Sequence, residues 1–130
     1  MKILVGYDGS NVAKAALWLA ADHADAFQAK VHVVTSLLKG SERQQDEIRE
    51  AEAGLEEALR ILKERGIECQ SHLLIRGMHS GEDLVEFARE KEVDEVIVGV
   101  KRRSKVGKLL MGSTAQYVIL NAHCPVVSIK

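Results

Sequence analysis

The chain has 130 residues, with 18 Lys and Arg against 19 Asp and Glu, and a formal net charge of −1. This length suits one domain over residues 1–130, and the near-neutral charge argues against nucleic acid as a partner. No apolar run approaches the roughly 20 residues of a membrane span, and the sequence enters a strand pattern at once, so we predict neither a membrane segment nor a signal peptide.

Residues 3–5 form a short apolar run that predicts the first strand. Because polar residues do not alternate with the apolar ones, we expect both faces of this strand to be buried in a parallel sheet. Asp8 or Ser10 can cap the helix that follows. Trp18 on this helix is predicted to pack against neighbouring elements rather than to stack on a base. The inward face of the helix is predicted to carry Ala13, Ala16, Leu17, Ala20, Ala21 and Ala24.

The middle of the chain continues the alternation of strand and helix. Residues 31–35 predict the second strand, and the mostly polar residues 36–45 predict a long loop. Apolar residues at helical spacing predict a helix over about 46–64, which Gly66 ends. Residues 69–75 are more polar and predict a third strand at the edge of the sheet.

The last part of the chain predicts two more helices and two more strands. Ser80 followed three residues later by Asp83 resembles a capping box at the start of the third helix. Residues 96–100 predict the fourth strand, residues 113–121 the fourth helix, and residues 126–129 the fifth strand. The residues of the fourth helix predicted to point inward are Ala115, Val118 and Ile119.

This alternation predicts a single α/β domain, an open parallel sheet with right-handed crossovers and helices on both faces. In such sheets a ligand binds beyond the carboxyl ends of the strands, where the strand order reverses. If the first and fourth strands are neighbours there, Asp8 and Gly99 face each other across one crevice.

The segment between the fourth strand and the fourth helix has the residues of an anion site. It ends in Gly112-Ser113-Thr114, where a helix start offers backbone N–H groups and a partial positive charge. Ser113 can cap this helix and offer its hydroxyl to a phosphate. The same residues also fit a solvated basic loop before an ordinary helix start, and Asp8 also fits a simple turn residue. The cations of this segment are Lys101, Arg102, Arg103, Lys105 and Lys108.

Three segments resemble the universal stress protein family: residues 3–10, residues 99–113 and residues 124–127. The resemblance implies a five-stranded parallel sheet in the order 3-2-1-4-5, Rossmann-like, and a role in the stress response. It implies binding of ATP or another adenine nucleotide, with Mg²⁺ held only through the nucleotide phosphates. It also implies a homodimer formed through the last strand, which comprises Val126, Val127, Ser128 and Ile129.

The nucleotide-binding branch of that family has the motif Gly-x2-Gly-x9-Gly-Ser/Thr. Gly99 fills its first position and Gly112-Ser113 its last, whereas Arg102 stands at the second glycine. Arg lacks the backbone freedom of Gly, but it can supply a charged fork to phosphate. By resemblance Asp8 lies at the nucleoside end and Val34 lines the adenine. The predicted nucleotide-binding residues are Tyr7, Asp8, Val34, Gly99, Lys101, Arg102, Arg103, Gly112, Ser113 and Thr114.

Catalysis has little support in the sequence. The five histidines are scattered, which favours packing or surface roles for them. No general base, nucleophile or metal cluster is evident, so we expect at most a slow ATPase. Cys69 and Cys124 lack a paired metal spacing and are interpreted as reduced residues of a cytoplasmic protein. Arg102 keeps open an alternative function, a stress or interaction scaffold of the same family that works without a nucleotide.

Overall fold

The computed structural model describes residues 1–39, 42–105 and 108–130, and of residues 102–105 and 108–110 it describes the backbone only. Strands and helices alternate along the chain. Their bounds are β1 (Lys2–Gly6), α1 (Asn11–Phe27), β2 (Lys30–Ser36), α2 (Gln44–Glu64), β3 (Cys69–Leu74), α3 (Ser80–Glu90), β4 (Glu95–Gly99), β5 (Arg102–Lys105), β6 (Lys108–Met111), α4 (Ser113–Asn121) and β7 (Val126–Ile129).

Five strands form one parallel sheet in the order β3-β2-β1-β4-β7. Since β7 is the fifth strand of this sheet, the predicted order 3-2-1-4-5 is confirmed. The register places Ile3 of β1 beside Val31 of β2 and beside Glu95 of β4. The strand order therefore reverses between β1 and β4, and β3 is an edge strand as predicted.

Residues 102–105 and 108–111 correct the prediction of a plain loop between the fourth strand and the fourth helix. Their backbone forms a separate antiparallel pair, β5 with β6, in which Arg102 lies opposite Met111. A two-stranded ribbon satisfies backbone groups without burying a periodic apolar face, so the hydrophobic pattern carries little signal for it.

The core has two layers, one on each face of the sheet. Helices α1 and α2 cover one face around Ile3 and Val5, while α3 and α4 cover the other around Leu4. The predicted inward face of α1 is confirmed, because all six of its residues are buried. Ile119 was predicted to point inward, yet it is 39% exposed, since this short helix buries only Ala115 and Val118.

Trp18 is half-buried, at 49% exposure, and the Arg65 guanidinium just beyond α2 lies 5.9 Å from its ring centroid in a cation–π contact. The proposed capping box is wrong, because His79 occupies the position before α3 and Asp83 turns inward to pair with another side chain. Ser10, in contrast, caps α1 by accepting a hydrogen bond of 3.2 Å from the Ala13 N–H. Among the described residues, no helix is long and apolar enough to cross a bilayer.

Candidate functional site

A cavity of about 290 Å³ opens at the carboxyl ends of the parallel strands, and we call it the strand-end cavity. It lies where the strand order reverses, the place at which open α/β sheets bind ligands. The ends of β1, β2 and β4 form its floor, and the starts of α1, α3 and α4 and one side of α2 form its walls. The predicted site residues that line it are Tyr7, Asp8, Val34, Gly99, Lys101, Gly112 and Thr114.

Asp8 and Lys101 form an ion pair across the gap between β1 and β4, with Lys101 Nζ 2.6 Å from Asp8 Oδ2. Asp8 Oδ1 also accepts a 3.0 Å hydrogen bond from the Ser10 N–H. Partial burial acts to raise the pKa of Asp8, but hydrogen bonds from Lys101 and Ser10 outweigh it and hold that pKa below its usual value. Asp8 is therefore a carboxylate at neutral pH, and the cavity has a hydrogen-bond acceptor and a cation side by side.

Tyr7 lies under α2, with only 5% of its surface exposed. Gly54 in the middle of α2 faces this ring, and a Cβ there would lie in ordinary van der Waals contact, 3.6 Å from Tyr7 Cε2. Burial raises the pKa of the Tyr7 hydroxyl, and the charges of Glu57 and Asp8 raise it further. The side chain is therefore neutral at physiological pH and supplies an aromatic wall to the cavity.

Of the remaining predicted site residues, Ser113 is not among those that line the cavity, and Arg102 and Arg103 are described by their backbone alone. Ser113 does not cap α4, since Gly112 occupies the cap position and Ser113 is an exposed first residue of the helix. Arg102 and Arg103 belong to β5, and their side chains lie outside the described part of the chain. The N-terminus of α4 still meets the cavity through Gly112 and Thr114, and no acidic residue lies in its first turn.

The structure adds a set of hydroxyls to the site that the sequence analysis missed. Thr35, Ser36 and Ser80 line the cavity, and we call them the hydroxyl wall. Ser36 Oγ donates a 2.7 Å hydrogen bond to the buried carboxylate of Asp83, and Arg76 Nε donates a 2.6 Å bond to its other oxygen. The sequence feature that could have indicated this pairing is Asp83, an acidic residue on the otherwise apolar inward face of the third predicted helix.

Gly99 and Gly112 differ in the space that their surroundings leave for a Cβ atom. A Cβ at Gly99 would lie 2.9 Å from Val12 backbone atoms, whereas the nearest described atom to a Cβ at Gly112 would be the Lys101 Cβ at 3.9 Å. We therefore expect Gly99→Ala to destabilise the protein by about 1–3 kcal/mol through overpacking, and Gly112→Ala, at the cap position of α4, to cost less than about 1 kcal/mol. Urea unfolding of both variants checks this, and equal losses would contradict the assignment of Gly99 to packing.

The known proteins that are similar to this chain in sequence and in fold belong to one family. The model of the universal stress protein family matches residues 1–130. A universal stress protein of Methanocaldococcus jannaschii is 30% identical over 140 residues, which cover 99% of this chain and 81% of that protein. A solved universal stress protein from Archaeoglobus fulgidus superposes with a TM-score of 0.91 at 39% identity, over 100% of this chain and 98% of the other. The universal stress protein from Archaeoglobus fulgidus in complex with dAMP superposes with a TM-score of 0.84 at 35% identity, over the same shares of the two chains.

Proposed function

Because this chain belongs to the universal stress protein family, we propose that it binds ATP or another adenine nucleotide in the strand-end cavity and acts as a homodimer in a stress response. The observation that carries the proposal is the cavity itself, of about 290 Å³, with an acceptor and a cation where the strand order reverses between β1 and β4. Its size is close to that of small-ligand pockets, which begin at about 300 Å³. The similar Archaeoglobus fulgidus protein solved with dAMP supports the same ligand class.

The chemistry of the lining residues supports an order along the nucleotide. Val34 and Tyr7 are apolar or aromatic and suit the base, while Asp8 accepts hydrogen bonds and suits ribose hydroxyls. Lys101 and the first turn of α4 at Gly112 and Thr114 suit the phosphates. We place Ser113 and the guanidinium groups of Arg102 and Arg103 at the same end.

We expect the Asp8–Lys101 pair to separate when a nucleotide binds, because Asp8 is assigned to the ribose and Lys101 to the phosphates. Both side chains are about half exposed, at 49% and 54%, and exposed pairs contribute little stability, about 0–1 kcal/mol. Separating the two side chains therefore costs little free energy. Mg²⁺ would enter with the phosphates, since the described residues contain no cluster of three or more His, Cys, Asp or Glu side chains suited to a metal.

The edge position of β7 supports the homodimer. β7 is the last strand of the five-stranded sheet, so a second copy can pair along Val126, Val127, Ser128 and Ile129. A two-fold pairing of this kind would extend one sheet through both protomers. Sedimentation of the purified protein tests it, and a monomeric mass at micromolar concentration would contradict this part of the proposal.

Calorimetric titration with AMP, ADP and ATP tests nucleotide binding. We expect saturable binding of one nucleotide per chain, and Lys101→Met to weaken ATP binding about tenfold, since hydrogen bonds to charged groups are the strong ones. Lys63→Met, which removes a lysine from the last turn of α2, is the matched control and should leave the affinity unchanged. No heat of binding with any of the three nucleotides would overturn the proposal and favour the nucleotide-independent scaffold.

A further inference from the structure

The hydroxyl wall has a common chemical property. Thr35 Oγ1 donates a 2.5 Å hydrogen bond to the Tyr7 carbonyl, and Ser36 Oγ donates a 2.7 Å bond to Asp83 Oδ2. Ser80 Oγ donates a 3.2 Å bond to the Ser36 carbonyl. Carbonyl and carboxylate oxygens only accept, so each hydroxyl must act as the donor in its bond.

These bonds fix what the wall offers to a ligand. A hydroxyl has one hydrogen and two lone pairs, and the hydrogen of each of these three side chains is already used inside the protein. The three side chains therefore present lone pairs alone to the strand-end cavity. A ligand group that meets them must bring its own hydrogen.

Asp83 is the residue that sets this property at Ser36. Its side chain is fully buried, and the Arg76 guanidinium donates to Oδ1 from 2.6 Å and also bonds the Glu90 carboxylate at 3.0 and 3.1 Å. Arg76 Nε donates to Asp83 Oδ1 and Ser36 Oγ donates to Oδ2, so both oxygens of this carboxylate act as acceptors. The Arg76–Asp83 pair thus forces Ser36 to donate inward and to accept outward.

We propose that Asp83, acting through Ser36, is a positioning residue that makes the strand-end cavity prefer a nucleobase with an exocyclic amino group over one with a ring carbonyl at that place. This proposal rests on nucleotide binding in the same cavity. An amino group donates to the lone pairs of the hydroxyl wall, whereas a carbonyl places its own lone pairs against them and loses its bonds to water. Adenine and hypoxanthine differ in this group, so AMP and inosine monophosphate form a matched pair of probes.

Calorimetric titration of the purified protein with the two probes measures the preference. We expect AMP to bind at least about tenfold more tightly than inosine monophosphate, as is typical of a site that hydrogen-bonds one group and leaves the other unpaired. Asp83→Asn should bring this ratio close to one or invert it. Arg76 Nε requires the amide oxygen, so the amide nitrogen faces Ser36 and donates to it, and the Ser36 hydrogen turns to the cavity.

Two further variants make the test decisive. Ser36→Ala removes the hydroxyl without touching the Arg76–Asp83 pair and should also lower the ratio, which covers the case of an Asp83 variant that does not fold. Asp25→Asn breaks an exposed pair with Arg65 and should leave the ratio unchanged.

The outcomes separate this proposal from the one on which it rests. Equal affinities of the unaltered protein for AMP and inosine monophosphate would overturn the preference and leave nucleotide binding intact. A ratio that stays the same in both Asp83→Asn and Ser36→Ala would overturn the assignment to Asp83. Binding of neither probe at millimolar concentration would overturn the preference, and nucleotide binding itself would be overturned only if ADP and ATP gave no heat of binding either.

Discussion

Arg76→Met is expected to lower the free energy of unfolding by about 3–5 kcal/mol, because it leaves the buried Asp83 carboxyl group without its counter-ion. The Asp83 side chain is 0% exposed, and Arg76 donates both to its Oδ1 and, over 3.3 Å, to its backbone carbonyl. Methionine retains much of the length and apolar stem of arginine, so the change isolates the loss of the guanidinium. Urea unfolding at pH 7 measures the effect.

Two controls separate the buried charge from a general effect of losing an arginine. Arg65→Met breaks ion pairs with the exposed Asp22 and Asp25 and should cost less than about 1 kcal/mol. The double variant with Arg76→Met and Asp83→Asn has an amide in place of the buried carboxyl group. It should recover at least half of the stability that Arg76→Met loses. If Arg76→Met costs no more than Arg65→Met, Asp83 does not depend on its counter-ion.

The alternation of buried strands and helices could be predicted because its information is local. Runs such as residues 3–5 are apolar without alternation, which only a strand buried on both faces requires, and helical periods separate them. The six inward residues of α1 follow from the same periodicity. A family resemblance then supplied the order 3-2-1-4-5, which the strand pairs confirm.

The errors concern side chains whose partner lies elsewhere in the chain. Asp83 in the pattern Ser-x-x-Asp has the sequence of a cap, and the competing partner that wins, Arg76, shows only once α3 packs beside the end of β3. Gly99 has a packing constraint that its motif does not reveal, because a Cβ there would lie 2.9 Å from backbone atoms of Val12, and it lines the cavity as well. Local spacing states what a residue can do, whereas tertiary packing decides which of those options is used.

The histidines are the second case in which tertiary contact overrides local pattern. His32 on β2 and His72 on β3 are far apart in sequence, but their Nδ1 and Nε2 atoms lie 2.9 Å apart, so one ring donates to the other. Phe87 of α3 covers them, with its centroid 4.7 Å from that of His72. Lys91 Nζ lies 5.6 Å from the Phe87 ring centroid, so the pair is surrounded by apolar and cationic groups. The prediction of packing roles for the histidines is confirmed for these two, and the contact between them was not foreseen.

Mild acid is therefore expected to destabilise the protein through this pair. Burial lowers the pKa of His32 to about 4, and the charges of His72, Lys30 and Lys91 act in the same direction. Burial also lowers the pKa of His72. In the unfolded chain a histidine titrates near its ordinary value of about 6.5, so between pH 6.5 and 4 the unfolded state binds more protons than the folded state. The stability that His32 contributes is present above about pH 6.5 and is lost as the pH falls through this window.

The size of the effect follows from the shift of His32. The free energy of unfolding should fall by about 2 kcal/mol by pH 5 and by about 3 kcal/mol by pH 4, relative to pH 7.5, before carboxylates contribute. Urea unfolding across this range measures it. His32→Gln replaces the titrating ring with a neutral side chain and should flatten the pH dependence, although it lowers stability at pH 7.5. His123→Gln, whose ring nitrogen lies 3.0 Å from the Val93 carbonyl, is the matched control and should keep the dependence. Helix α3, which covers the pair, also lines the strand-end cavity through Ser80 and Leu84. If the free energy of unfolding of His32→Gln depends on pH as that of the unaltered protein does, the acid-sensitive group lies elsewhere.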